Sequence, residues 1–229
     1  MGKAPIALAL DALELADLRE WVLQTSDVVS TQKIGLETFY RNGEAAIEIV
    51  QQSGCDLFLD VKLHDIPNTV AGAAAALARY SPKFLTVHAS GGPDMVSAAC
   101  EALPHTWITA VTVLTSLNDQ ILSEVGLHTP AQDTVVRQAV SAVGAGARAI
   151  VCSPHEVTRV RSEVGPEIVL ITPGVRPAGS ALNDQKRVMT PGQALEAGAD
   201  LLVIGRPITA APSMKAAALG IANEIIGVK

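Results

Sequence analysis

Charged residues are scarce in this sequence, and those present do not form a basic surface. Asp, Glu, Lys and Arg make up 17% of the 229 residues, against roughly 25% in a typical soluble domain. The 17 Lys and Arg are outnumbered by 23 Asp and Glu, and no basic run exists to follow a nucleic-acid backbone. We therefore expect no nucleic-acid partner. The low charge favours a homo-oligomer that hides part of its surface.

Cysteine and long apolar runs are also scarce. The cysteines Cys55, Cys100 and Cys152 form no CxxC spacing, and their odd number is typical of a reducing cytosol rather than a disulfide scaffold. No stretch approaches the roughly 20 apolar residues that span a bilayer. The apolar run from Ile6 to Leu10 is too short for a signal peptide. The sequence thus predicts a soluble, cytoplasmic protein with no membrane partner.

What the sequence does contain is a regular alternation of strand-like and helix-like segments. Helical patterns, such as the one from Glu37 to Gln52, separate eight short apolar runs: IALAL, VVSTQKI, LFLDVKL, FLTVHA, WITAVTVL, ARAIVCS, EIVLIT and DLLVIG. Eight strand–helix units predict an α/β fold of the (β/α)8 TIM barrel type, a single domain over residues 1–229. An open doubly wound sheet is the alternative. It is disfavoured because no G-x-G-x-x-G follows the first run.

Three helix starts carry a hydroxyl residue, then proline, then an acid or amide three residues after the hydroxyl. This pattern predicts an N-cap, a proline at the first helical position and a capping box. The three are Thr129-Pro130 with Gln132, Ser153-Pro154 with Glu156, and Thr190-Pro191 with Gln193.

Polar residues gather where the predicted strands end, and the active site of a (β/α)8 barrel lies at those carboxyl ends. Side chains alternate along a strand, so Asp60 and Lys62 are predicted to share a face, roughly 6.6 Å apart. A buried ion pair is a weak source of stability, which favours a functional role for the two. The other polar strand-end residues are Asp11, Lys33, His88, Thr112 and Thr115.

The segments after the last two strands predict a phosphate site. In many barrels these loops hold a phosphate through backbone N–H groups and a short helix N-terminus. Glycine allows the backbone to approach the anion, and arginine presents a planar fork that matches phosphate oxygens. The long polar stretch between Gly174 and Met189 predicts a lid that closes over the ligand through Gln185. The residues supplied here are Gly174, Arg176, Gly205 and Arg206.

Segments at seven of the predicted strands form a pattern along nearly the whole chain: ALALD, KIG, FLDVKLHDIPNTV, VHASGG, VTVLTS, TPGVRPAG with DQKRVMTP, and VIGRPIT. The D-x-K-x-x-D-I-P-N-T block in the third is highly specific. Together they resemble the orotidine 5′-phosphate decarboxylase family of the bacterial type. The resemblance implies decarboxylation of orotidine 5′-phosphate to uridine 5′-phosphate, the last step of de novo pyrimidine nucleotide synthesis, with no cofactor and no metal.

The resemblance also implies a role for each matching residue. Lys62 would protonate C6 of the pyrimidine, Asp60 would lie beside the departing carboxylate, and Lys33 would bind Asp60 and the ribose. Asp65 and Thr69 would reach the neighbouring subunit's site, so that the two chains of a homodimer share each site. The remaining substrate-binding residues would be Asp11 at the ribose, Thr115 at the pyrimidine, and Arg176, Gln185, Gly205 and Arg206 at the phosphate.

The sequence departs from the family pattern at two places, neither at a proposed catalytic position. Asn183 stands where relatives often have an acid, and ITAAPSM lacks the Asp-Pro common after strand eight. His64 and His88 have no catalytic role in this interpretation and are expected to be structural.

Three other functions remain open. Relatives with the same D-x-K-x-x-D barrel mouth use Mg²⁺ to stabilise an enediolate, but they lack the I-P-N-T continuation, and a hard cation needs several close carboxylates. A catalytically silent phosphate-ligand sensor would not need both Lys62 and Asp60. A Schiff-base aldolase needs a neutral lysine, whereas an adjacent carboxylate favours the ammonium.

Overall fold

A computed structural model of the protein describes residues 2–127, 130–177 and 189–226. Within these residues, eight parallel strands pair in chain order and close into a barrel, because the first strand pairs with both the second and the eighth. The predicted (β/α)8 barrel is confirmed, and the open sheet is wrong. The strands are β1 (Ala4–Ala9), β2 (Val29–Gly35), β3 (Asp56–Leu63), β4 (Phe84–His88), β5 (Trp107–Val111), β6 (Ala149–Val151), β7 (Val169–Thr172) and β8 (Leu201–Ile204).

Helices follow the strands and cover the outside of the barrel. Short 3₁₀ turns at Ala78–Tyr80, Ala89–Gly91 and Pro154–Glu156 supplement them. The α-helices in the described part of the chain are α1 (Leu15–Thr25), α2 (Leu36–Asn42), α3 (Glu44–Gln51), α4 (Pro67–Leu77), α5 (Pro93–Ala102), α6 (Asp119–Glu124), α7 (Ala131–Gly144), α8 (Val157–Val164), α9 (Pro191–Glu196), α10 (Arg206–Thr209) and α11 (Met214–Ile226).

The predicted capping pattern holds in two of three places. The Thr190 hydroxyl accepts from the Gln193 N–H at 3.2 Å, and the Gln193 side chain accepts from the Thr190 N–H at 3.0 Å. Ser153 and Glu156 form the same box at the start of a 3₁₀ turn that leads into α8. Pro130 is itself the N-cap of α7 rather than its first helical residue, and Thr129 lies outside the described residues.

The helix predicted over residues 37–52 is divided in two. Gly43, at φ 51° and ψ −129°, ends α2 and precedes α3. This backbone conformation is open to glycine and costly for other residues. The apolar periodicity continues across the break, so periodicity alone did not reveal it.

Two apolar layers hold the barrel in place. The larger packs the outward faces of the strands against the helices. The smaller fills the barrel interior and includes Phe58 of β3 and Phe84 of β4, whose ring centroids are 5.4 Å apart. Phe58 thus closes the interior two residues before Asp60. The site therefore has an apolar floor.

The described helices include none that is long and apolar enough to cross a bilayer. Cys55, Cys100 and Cys152 are all free thiols, in agreement with the predicted absence of a disulfide scaffold.

Candidate active site

Three charged side chains meet at the carboxyl ends of β2 and β3. Lys33 Nζ lies 3.0 Å from Asp60 Oδ2, and Lys62 Nζ lies 2.8 Å from Asp60 Oδ1. The side chains of Lys33 and Asp60 are 9% and 14% exposed, and that of Lys62 is 27% exposed. We call these three residues the Asp60 cluster. It holds one carboxylate between two ammonium groups and leaves Lys62 the most accessible of the three.

The pKa of Asp60 results from opposing effects. Burial raises the pKa of this carboxyl, but the charges of Lys33 and Lys62 and hydrogen bonds with both outweigh burial and hold it below its ordinary value. Asp60 is therefore a carboxylate at neutral pH, fixed by one ammonium on each oxygen. Such a group presents its charge without having to reorganise.

The backbone that places Lys62 is irregular. Lys62 has φ 47°, in the left-handed region that residues with a side chain rarely adopt. Leu59 pairs with Leu85 and Leu63 pairs with Val87, so three residues of β3 lie opposite a single residue of β4. Asp60 and Lys62 do meet, but the regular alternation from which we predicted a shared face does not explain it, because the strand bulges between them.

The residue opposite this bulge is Thr86, which sequence analysis missed. Its side chain is fully buried, and its hydroxyl lies 2.8 Å from the Lys62 backbone nitrogen and 3.2 Å from Asp60 Oδ1. The available signal was a hydroxyl residue on the otherwise apolar strand before His88. A threonine there is equally typical of a barrel core.

Asp11 lies beside the cluster at the end of β1. A Cβ added to Gly35 would be 3.0 Å from Asp11 Oδ1 and 3.2 Å from Lys33 Nζ. Asp11 and Lys33 therefore flank Gly35, and the missing side chain leaves room for both polar groups at the barrel mouth. The predicted proximity of Asp11, Lys33 and Asp60 is found.

A mainly apolar cavity opens beside the cluster. Thr115, in the exposed loop after β5, is one of its polar residues. Burial raises the pKa of the Cys152 thiol well above its ordinary value, so this residue is a neutral part of the wall. The described lining residues are Lys33, Phe58, Asp60, Lys62, Val111, Val113, Leu114, Thr115, Val151, Cys152, Pro173 and Val203.

The predicted phosphate residues lie at the same end of the barrel. Gly174, after β7, has φ 81°, and the buried Arg176 follows it two residues later. Gly205 is the N-cap of α10, and the exposed Arg206 is its first residue. Gln185, the predicted lid residue, lies outside the described residues.

Asp65 and Thr69 lie past the end of β3, at the start of α4, and both are exposed. Asp65 Oδ1 accepts from the Ile66 N–H at 2.7 Å, and Ile66 as a residue is 66% exposed. Among the described residues that line the cavity, neither Asp65 nor Thr69 appears. The chain therefore does not bring these two into its own cavity.

Two histidine rings lie close together at the carboxyl ends of β3 and β4. The centroids of His64 and His88 are 5.2 Å apart. Burial lowers the pKa of His88, and His64 and Lys62 lower it further against the opposing effect of Asp60. His88 is therefore neutral at pH 7, and its ring packs beside that of His64. Within the described residues, no His, Cys, Asp or Glu group has three members placed to hold a metal ion.

Comparison with known proteins shows which family the chain resembles along nearly its whole length. The sequence model of the Orotidine 5'-phosphate decarboxylase / HUMPS family matches residues 4–221. Orotidine 5'-phosphate decarboxylase of Thermobifida fusca is 59% identical over 97% of this chain and 96% of its own. The enzyme of the same name from Frankia casuarinae is 48% identical over 96% of this chain and 87% of its own. The crystal structure of the Lactobacillus acidophilus orotidine 5'-phosphate decarboxylase superimposes with a TM-score of 0.85 at 36% identity, covering 97% of this chain and 99% of that one.

Proposed function

Because this chain belongs to the Orotidine 5'-phosphate decarboxylase / HUMPS family, we propose that the Asp60 cluster carries out its chemistry, with Lys62 as the proton donor. The reaction is decarboxylation of orotidine 5′-phosphate to uridine 5′-phosphate in pyrimidine nucleotide synthesis, which makes the protein a carboxy-lyase. The observation that carries the proposal is the single carboxylate held between two lysines beside an apolar cavity.

The cluster suits a reaction that leaves negative charge on carbon. Loss of CO₂ from C6 of the pyrimidine creates a carbanion, and fixed charges already aimed at that carbon stabilise it best. Lys62 Nζ is the accessible positive charge of the cluster. This ammonium stabilises the developing carbanion electrostatically and then donates a proton to C6. The Asp60 carboxylate holds this ammonium in place at 2.8 Å and repels the substrate's own carboxylate.

Binding energy from the rest of the nucleotide supports this unfavourable arrangement at the reacting end. We assign the ribose hydroxyls to Asp11 and Lys33, which flank Gly35, and the pyrimidine to the cavity that Thr115 borders. The phosphate would bind at the loops after β7 and β8. Its proposed ligands are Arg176, Gln185, Gly205 and Arg206.

We further propose that the active form is a homodimer with shared sites. Asp65 and Thr69 are exposed and do not line the cavity of their own chain, while the neighbouring Ile66 presents an apolar side chain to solvent. Burying an exposed apolar residue against a second copy is favourable. An isologous contact would carry each Asp65 to the partner's site. A cytoplasmic location fits nucleotide synthesis and is part of the same proposal.

The decisive experiment follows the absorbance of orotidine 5′-phosphate during incubation with purified protein and excess EDTA. We expect full turnover in EDTA and loss of nearly all turnover in Lys62→Ala, since acid catalysis alone typically contributes about 10²–10⁴-fold. A Lys62→Ala protein that keeps more than about a hundredth of the wild-type rate overturns the role of Lys62. Activity that EDTA abolishes and Mg²⁺ restores overturns the metal-free mechanism.

A further inference from the structure

We propose that Thr86 is a positioning residue for this reaction: its hydroxyl fixes both the backbone of Lys62 and the carboxylate of Asp60. The inference rests on the proposed function of Lys62 and adds a residue outside the D-x-K-x-x-D block. Thr86 is not among the described residues that line the cavity, and its hydroxyl contacts Asp60 and the backbone of Lys62. It acts through the residues that do the chemistry.

The first support is the hydrogen bonding of the bulge. Between the Leu59–Leu85 and Leu63–Val87 pairs, residues 60–62 of β3 face Thr86 alone. The Lys62 N–H donates to the Thr86 hydroxyl at 2.8 Å rather than to a backbone carbonyl of β4. A buried backbone N–H without an acceptor costs about 1–3 kcal/mol. The threonine side chain therefore replaces the carbonyl that a regular strand would offer.

The second support is the use of the single hydroxyl proton. Thr86 Oγ1 lies 3.2 Å from Asp60 Oδ1 and 3.5 Å from the Leu59 carbonyl oxygen. The carboxylate is both nearer and charged, and charged acceptors form the stronger hydrogen bonds. The hydroxyl therefore donates to Asp60 while it accepts from Lys62.

These contacts close a ring through two residues of the cluster. The Lys62 N–H donates to Thr86, Thr86 donates to Asp60 Oδ1, and Lys62 Nζ donates to the same carboxylate oxygen. The left-handed backbone of Lys62 costs free energy and persists only where its surroundings over-determine it. Thr86 supplies that constraint. The ring links the backbone nitrogen of Lys62, through the Thr86 hydroxyl, to the same Asp60 oxygen that its Nζ contacts directly.

The barrel offers a matched control in Thr109. It is the register partner of Thr86 on β5 and is equally buried. Its hydroxyl donates to the Trp107 carbonyl of its own strand, at 2.9 Å. Thr109→Val thus removes a buried hydroxyl from the same layer of the barrel without touching the Asp60 cluster.

The test compares Thr86→Val, Thr86→Ser and Thr109→Val by steady-state kinetics. Thr86→Val keeps the side-chain shape and removes the hydroxyl. We expect kcat to fall about 10- to 100-fold, the range for a lost hydrogen bond to a charged group, with KM changed by less than about threefold. Thr86→Ser should return kcat to within about threefold of wild type. Thr109→Val should leave kcat unchanged.

A second measurement does not depend on activity, and its first part needs only the wild-type protein. In hydrogen–deuterium exchange on the wild type, the Lys62 amide should be as protected as its neighbours in β3, although it lies outside the regular ladder. In Thr86→Val that protection should be lost selectively. An unprotected Lys62 amide in the wild-type protein overturns the proposal.

Failure of this inference is distinguishable from failure of the proposed function. If Lys62→Ala is inactive while Thr86→Val has wild-type kcat, Lys62 is catalytic and Thr86 does not position it. If Thr86→Val and Thr109→Val lose activity equally, the loss reflects a general need for buried hydroxyls, and the proposal is wrong. If Lys62→Ala keeps more than about a hundredth of the wild-type rate, Lys62 is not the proton donor, and the proposed role on which this inference rests fails.

Discussion

At the scale of single residues, the conformation of Lys62 has a measurable cost. A residue with a side chain in the left-handed region is destabilised by roughly 1–2 kcal/mol, whereas glycine is not. Lys62 adopts φ 47° at the point where β3 bulges. The strain thus falls on the residue proposed to protonate the substrate, where it serves orientation rather than stability.

This strain predicts which of two inactive variants at position 62 is the more stable. Lys62→Ala and Lys62→Gly both remove the ammonium and should both be inactive, but only glycine relieves the backbone. The free energy of unfolding of Lys62→Gly, measured by urea denaturation, should exceed that of Lys62→Ala by about 1 kcal/mol. At an ordinary strand position glycine is the less stable of the two. A less stable Lys62→Gly would show that the backbone is unstrained.

The lowered pKa of Asp60 predicts a pH dependence of stability. Because its pKa is lower in the folded state, the stability it contributes is fully present above its unfolded pKa of about 4. That contribution is lost as the pH falls through the folded pKa. Under acidification below about pH 5, the free energy of unfolding of the wild type should therefore fall more steeply than that of Asp60→Asn.

The control for this titration is Asp27→Asn. Asp27 pairs with Lys215 at the surface, and its pKa is also lowered, first by the hydrogen bond from that lysine. Water and salt screen such a pair, so its removal should leave the pH profile close to that of the wild type. Parallel profiles for the wild type and Asp60→Asn would contradict the prediction.

The sequence could predict which residues meet at the barrel mouth, but it could not predict the backbone conformation that positions them. Lys33 and Asp60 follow from charges at strand ends, since parallel strands bring those ends together. The left-handed Lys62 could not be predicted, because alternation assumes a regular strand. Thr86 was missed for a related reason: a hydroxyl in an apolar strand acquires a partner only when a bulge opens opposite it.

At the scale of secondary structure, all eight strands were predictable because each is a short apolar run between helical patterns. The division between α2 and α3 was not, because it depends on one backbone angle at Gly43. Helix starts were predictable where a hydroxyl and an acid or amide satisfy the first free N–H groups, as at Thr190 and Gln193.

The helix break predicts two glycine substitutions of opposite sign. A Cβ added at Gly43 or Gly220 meets no atom within 4 Å, so backbone conformation alone decides the outcome. Gly43→Ala should lower the free energy of unfolding by about 1–3 kcal/mol, because its φ of 51° and ψ of −129° suit only glycine. Gly220→Ala, inside α11, should raise it by up to about 1 kcal/mol.

Both variants should keep wild-type kcat, since neither position borders the described cavity. Urea denaturation measures the two free energies, and the decarboxylation assay measures kcat. A stabilising Gly43→Ala would mean that α2 and α3 can join into the continuous helix that the periodicity suggests.

At the scale of the whole molecule, the proposed shared sites predict complementation between inactive variants. Lys62→Ala and Asp65→Ala homodimers should each be nearly inactive. In a mixed dimer one site receives both substitutions and the other receives neither. Random exchange makes about half of the dimers mixed, so about a quarter of all sites should be native, a consequence of two-fold symmetry. Mixing the variants should restore activity towards that fraction of wild type.

Mass spectrometry of the mixture shows whether subunits have exchanged. No recovery despite exchange would assign Asp65 to the site of its own chain. A useful control mixes Lys62→Ala with Asp60→Asn. Each of these substitutions damages the Asp60 cluster of the chain that carries it. Every site of a mixed dimer therefore has one defect, and no activity should return.

The pairing of β1 with β8 also governs the order in which the molecule can be completed during synthesis. The first strand leaves the ribosome with one neighbour, β2, and its other edge stays unpaired until Leu201–Ile204 has been translated. An unpaired strand edge is a template for association with other chains, and domains of this kind expose such surface while they fold. A chain that stops before β8 therefore presents two open edges, at β1 and at β7. Its hazard to the cell is aggregation, even though the Asp60 cluster has already been made.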